Sequence, residues 1–254
     1  MKKMAVYRRP VSARRSIKKS RKPQRKKRSF YAGGRTKTGS TLAPGRVTGL
    51  SRTDFGFPDL LRTKLHYCDV VQLSASAGSP GLWQFRMNSL FDPDFTGTGH
   101  QPQWFDQLSA VYSRYRVLGA KITAKFVPGT VNATEAADTG PYIVGITTKI
   151  GSTFAASTYA AILEDGNSVN SIVVDKQGGN NLRVLTNTYS PMRDTGLDPY
   201  DDTLGALVSA NPTNQYFATV WAFDMEEAVA PDVMCQVEIE YMCEFSWRNE
   251  NVNS

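Results

Sequence analysis

The residues with the most evident chemistry are cations near the N-terminus: Arg8, Arg9, Arg14, Arg15, Lys18, Lys19, Arg21, Lys22, Arg25, Lys26, Lys27, Arg28, Arg35 and Lys37. From Met1 to Thr53 the sequence holds 18 Lys or Arg and no Asp or Glu, whereas the whole chain carries only +7. Residues 54–254 therefore carry −11. A cation that settles on a phosphate releases condensed counterions, which gives strong, sequence-blind affinity for a polyanion. Nucleic acid is the partner this segment predicts. Clusters such as Lys18 to Arg28 also serve as nuclear import signals. An acid-free, Arg- and Ser-containing N-terminus is also the composition of an organelle transit peptide, but Pro23 and the lack of an apolar stripe oppose the amphipathic helix a transit peptide needs.

Other chemistry is sparse. Only two histidines, His66 and His100, are available as bases, and no GxSxG, HExxH or Walker motif accompanies them, so an enzyme is not expected. Cys68, Cys235 and Cys243 form no CxxC pair and read as buried free thiols, with neither a disulfide framework nor a zinc site. Asp92, Asp94 and Thr96 followed by Gly97 open like a calcium loop, but Gln103 stands where the bidentate Glu belongs. No cofactor is expected. Calcium shared between subunits by Asp92, Asp94, Asp198, Asp201 and Asp202 is left open, with solvated turn residues as the simpler reading. Among aromatics, Trp104, Tyr7, Phe30 and Tyr31 are candidates to stack on bases, while strand parity assigns most of Trp83, Phe85, Trp221, Phe223, Phe245 and Trp247 to a core.

The elements that position these residues fall into two parts. Residues 1–53 combine like-charge repulsion, Pro10, Pro23 and little apolar surface, which predicts an arm that is disordered when unbound. Residues 54–254 are long enough for one domain with a substantial core. No apolar run reaches membrane-spanning length and none follows the N-terminal charges as a secretory signal would, so a soluble protein without membrane insertion is expected. Alternation predicts strands over 61–73, 83–89, 120–126, 142–148, 171–175, 182–189, 216–223 and 233–247, with short helices near 102–111 and 157–165. Residues 190–213 read as a long surface loop. The run Tyr216 to Phe223 is apolar on both faces and is placed centrally. Arg62, Lys64 and His66 share the polar face of the first strand, either as an extension of a basic surface or as an ordinary solvated face. Eight strands without a helix between each pair exclude a parallel α/β fold. They predict an all-β, eight-stranded antiparallel jelly roll with two short loop helices.

Arg86-Met87-Asn88, Phe91-Asp92-Pro93-Asp94, Thr96 through Pro102, Phe105-Asp106-Gln107 and Tyr112-Ser113-Arg114-Tyr115 resemble a recurring block in capsid proteins of small circular single-stranded DNA viruses. The layout of the whole chain is similar to the coats of small icosahedral plant satellite viruses: a basic arm followed by one jelly roll. The sequence ends soon after the eighth strand, without room for a protruding domain, which favours the smallest shells. The resemblance implies a structural protein of the virion that self-assembles into an icosahedral shell of about 60 copies. Its arms would turn inward onto single-stranded nucleic acid, DNA favoured over RNA, and it would meet nuclear import receptors, the host nucleus during assembly, and a host surface receptor. About 60 arms would supply about a thousand positive charges, matching a genome of roughly one to two thousand nucleotides. The competing reading is a cellular nucleic-acid-binding or chaperone protein with a β-sandwich body. Such a binder would be expected to carry its basic and aromatic residues on the sheet itself.

Overall fold

The computed structural model describes residues 57–76, 78–128, 142–153, 158–164, 166–173, 182–225 and 232–249. All lie in the second of two units into which the chain divides, Met1–Gly49 and Leu50–Ser254. The strands are β1 (Leu60–Ser74), β2 (Gly81–Arg86), β3 (Tyr112–Pro128), β4 (Tyr142–Ile150), β5 (Ser168–Val173), β6 (Arg183–Tyr189), β7 (Gly205–Leu207), β8 (Tyr216–Asp224) and β9 (Asp232–Arg248). Among the described residues three short helices join them: α1 (Phe105–Ser109), α2 (Tyr159–Glu164) and α3 (Pro191–Asp194).

One sheet has the order β1-β9-β3-β6, with β7 added to β3, and the other has the order β2-β8-β4-β5. Every pairing is antiparallel. Apart from β4 and β5, successive major strands fall in opposite sheets, and the last strand lies between the first and third. That interleaving is the connectivity of a jelly roll.

Alternating side chains from the inner faces form the core, in which Tyr67, Phe85, Phe126, Tyr241 and Phe245 are almost fully enclosed. Large aromatic rings dominate such cores because each removes much apolar area from water. β8 is buried at every position, as its two-sided apolar pattern predicts. One face of β8 meets the main core; on the other, Trp221 and Phe223 join Ile143 and Ile162, the latter from α2. The Trp221 ring lies flat on β4, and a Cβ added to Gly145 would stand 2.2 Å from Trp221 Cζ2. Trp221 Nε1 donates to Thr147 Oγ1 at 3.0 Å, which satisfies the buried indole.

Several expectations are corrected. The third strand begins at Tyr112, not Ala120, and runs 17 residues. A bulge between Val117 and Gly119 resets its parity, so Tyr115 and Val117 point inward before it and Ala120 and Ile122 after it. The expected loop 190–213 contains α3, a 3-10 turn at Asp202–Leu204 and β7. The second strand stops at Arg86, and the fifth covers Ser168–Val173. α1 buries Phe105 and leaves Trp104, just before it, exposed. Cys235 and Cys243 are buried free thiols, but Cys68 is exposed on the outward parity of β1. Trp247 is also exposed, because its backbone turns out of the strand pattern.

Candidate functional site

The recurring words of the sequence are a buried polar knot. Arg86, only 7% exposed, extends β2 into a loop and donates from Nη1 to Asp92 Oδ2 at 2.8 Å, Asp92 O at 2.9 Å and Asp94 O at 3.0 Å. Its Nε donates to Gln215 Oε1 at 2.8 Å, and Phe95 and Phe217 flank its guanidinium. Asp94 Oδ1 accepts from Trp83 Nε1 and Thr96 N, both at 3.0 Å, and Oδ2 from Thr96 Oγ1 at 2.7 Å. Asn88 ties the loop to β8 by donating to Asn214 O and accepting from Tyr216 N. A buried charge of this kind persists only when paired and fully hydrogen-bonded.

The five loop carboxylates considered for calcium all have protein partners. Asp92 and Asp94 serve the knot. Asp198 accepts from Tyr200 N, and Asp202 from Arg114 Nη2, each at 2.8 Å. Asp201 caps the 3-10 turn through Thr203, whose hydroxyl and backbone N–H hold its carboxyl below the usual carboxylate range, with Arg116 adding to the effect. Among the described residues there is no group of three or more His, Cys, Asp or Glu able to hold a metal ion. His100 stacks on Tyr67 with ring centroids 4.7 Å apart, and Tyr67 donates to Asp69 Oδ2 at 2.9 Å. Burial, then the hydrogen bond to Asp69, pushes the Tyr67 phenol up.

The outer face of the β1-β9-β3-β6 sheet carries columns of alternating sign. Arg62, Lys64 and His66 stand on β1; Glu238, Glu240 and Glu244 on β9; Arg116, Lys121 and Lys125 on β3. Register sets Glu244 between Arg62 and Arg116, and Glu240 between His66 and Lys121. Arg62 Nε donates to Glu244 Oε2 at 2.8 Å and Lys125 Nζ to Glu238 Oε1 at 2.7 Å. Of the basic strip read from β1, Arg62 and His66 thus face glutamates on β9, while Lys64 faces Met242. The chain after α3 folds onto this face. Arg116 Nη1 donates to Pro199 O at 3.0 Å, its guanidinium lies over the Tyr200 ring at 5.0 Å, and Arg62 Nη2 donates to the Tyr200 hydroxyl.

The first described residues lie at one end of this sheet. Tyr112 donates its hydroxyl to Pro58 O and Arg248 Nη1 donates to Phe57 O, both at 2.7 Å. Trp247, next to Arg248, has φ 56° and Trp104, before α1, has φ 73°, and these are the two non-glycine residues with positive φ among those described. Their side chains are 60% and 62% exposed. A left-handed backbone costs an L-residue about 1–2 kcal/mol. Around Trp247 it is held by Ser113 Oγ donating to Trp247 O at 2.8 Å and Asn249 N to Val111 O at 2.7 Å. Arg114 lies over the Trp247 indole at 5.0 Å.

The predicted nucleic-acid-binding residues, from Arg8 to Lys37, lie outside the described residues, as do Tyr7, Phe30, Tyr31 and the boundary at residue 53. The structure brings together toward this end of the sheet Arg62, Arg114, Arg116, Tyr200, Trp247 and Arg248, of which sequence reasoning weighed only Arg62 as part of a basic surface. Strand parity hid Trp247, and only a signal for a left-handed turn after Ser246 would have exposed it.

No protein-family model matches the sequence, and no curated protein shows significant similarity to it. Among solved structures the chain is similar to that of Desmodium yellow mottle tymovirus, with 14% identity, 81% of this chain and 97% of that one covered, and a TM-score of 0.38. It is similar to the decameric BFDV capsid protein, with 11% identity, 73% and 98% covered and a TM-score of 0.40. A third likeness is to the semi-empty VLP of the giant freshwater prawn Macrobrachium rosenbergii nodavirus, with 10% identity, 79% and 99% covered and a TM-score of 0.41. The strand order assigns the jelly roll independently of these likenesses.

Proposed function

We propose that this chain is the structural subunit of a viral capsid, which self-assembles into a small icosahedral shell and packages a single-stranded genome through its basic N-terminal segment. One observation carries the reading: a segment of charge +18 without a single acid is joined to a jelly roll of charge −11. Nucleic acid is drawn to the first and repelled by much of the second, so binding is polarised. The pairing of the cations on the outer sheet face supports the same division, since Arg62 and Lys125 are matched to Glu244 and Glu238. The role is structural and not catalytic. A shell of about 60 copies, a circular DNA genome, and import into the host nucleus through the Lys18–Arg28 cluster complete the proposal.

Electron microscopy of the full chain, with its absorbance ratio at 260 and 280 nm, tests the reading. Closed spherical particles with a nucleic-acid absorbance excess are expected. Deleting residues 2–28 removes 14 of the 18 cations and should leave the domain folded while emptying the particles. With about eight cations engaged on a single strand, log affinity for an oligonucleotide should fall with log salt at a slope near −6. Small species free of nucleic acid, or equal packaging by the truncated chain, would refute the division of labour.

A further inference from the structure

Trp247 combines three properties that seldom coincide: a large apolar side chain, 60% exposure, and a backbone φ of 56° that forces it outward. Strained conformations persist where surrounding structure over-determines them, and they cluster at functional positions. Here the hydrogen bonds of Ser113 and Asn249 hold the backbone that carries the indole, and Arg114 lies over the ring, before any partner arrives. Leu207, 51% exposed, lies on the same outward parity opposite Arg114, and Tyr200 covers Arg116 nearby. Trp, Tyr and Arg are the residues that most often carry the binding energy of a protein–protein contact.

The charge balance says what kind of partner fits. Arg114 is bonded to Asp202, Arg62 to Glu244 and Arg248 to Asp59, at 2.8, 2.8 and 3.4 Å. A polynucleotide would have to compete with three carboxylates for these guanidiniums, whereas a protein face can keep the pairs and cover the indole. The same sheet face carries both signs in columns, so two copies can meet with opposite charges opposed. We infer that Trp247, framed by Arg114, Leu207 and Tyr200, is a preorganised anchor that docks onto a second copy of this chain. The inference rests on the capsid reading, and it identifies one of the contacts through which subunits would associate.

Trp247→Gly tests it, because glycine adopts this backbone without strain. The variant's thermal midpoint should equal or exceed that of the unaltered chain. Its binding to a fluorescent single-stranded oligonucleotide should be unchanged. Its self-association, followed by sedimentation velocity on the full chain, should weaken by at least about 30-fold. If the variant assembles as the unaltered chain does, the inference is wrong. If it assembles but loses oligonucleotide affinity, the indole stacks on nucleic acid and the inference is also wrong. Failure of the capsid reading is distinct, since the unaltered chain itself would then remain small. Trp247→Phe, which keeps the strain and most of the apolar surface, should retain most of the self-association.

Discussion

Gly145→Ala is expected to damage the fold far more than its single methyl suggests. The added Cβ would stand 2.2, 2.5 and 2.9 Å from Cζ2, Cε2 and Cη2 of Trp221, well inside contact distance. The ring cannot swing away at low cost, because Trp221 is fully buried between β8's neighbours and the α2 residues Ile162 and Leu163. Overpacking of a tight core costs about 1–3 kcal/mol. Moving the indole also breaks its 3.0 Å hydrogen bond to Thr147 and strands a buried donor, at about 1–3 kcal/mol. A total near 4 kcal/mol should lower the midpoint of thermal unfolding by about 10 °C in a domain of this size. Near-ultraviolet circular dichroism and tryptophan fluorescence during a melt would read it. Since the clash is specific to the indole, Trp221→Phe combined with Gly145→Ala should lose less than the two single variants together. A shift under about 2 °C, or strict additivity in the double variant, would refute the contact.

Two further outcomes follow from burial. Burial pushes the thiols of Cys235 and Cys243 up to about 12, whereas Cys68 is exposed; iodoacetamide at pH 8 should therefore modify one thiol per native monomer and three after unfolding, as mass spectrometry would count. Alkaline stability is the second. Burial raises the folded-state values of these thiols and of the Tyr115 phenol, also to about 12, and lifts Tyr67, Tyr189 and Tyr241 as well. Their neutral forms are favoured in the fold, so the contribution is complete below about pH 9 and is lost as pH rises toward about 12. Urea midpoints should be flat from pH 7 to 8.5 and fall steeply above pH 10, and a flat profile to pH 11 would contradict the burial.

Strands in this fold announce themselves wherever one face is wet and the other dry. The expected span 233–247 falls within Asp232–Arg248, and the two-sided apolarity of 216–223 predicted a central strand, which is where β8 lies, between β2 and β4. What the sequence hid were local breaks in period. The bulge at Val117/Gly119 resets the parity of β3, which left its first residues, Tyr112 to Arg116, outside the strand read over 120–126. β7 has only three residues and exists because β3 offers it an edge, a tertiary cause without a local signal. The same limit governed the candidate site. Net charge made the N-terminal cations legible as a polyanion binder, because charge needs no geometry. The patch around Trp247 depends on one left-handed residue and on arginines drawn from three separate segments, which no spacing rule connects.

The position of β9 also sets when a subunit can exist. It is the last of the described strands and lies between the first and the third. Cys243 Sγ reaches Thr63 O across 180 positions of sequence. Until β9 has been made, β1 and β3 have no strand between them, and both expose unpaired edges and apolar faces. Pairing over such separations is slow, because a large loop must close before any contact repays it. The domain therefore completes its fold only after β9 has been made. Half-made chains are the species most exposed to aggregation, and the pace of translation, set against chaperone capacity, limits how fast competent subunits accumulate.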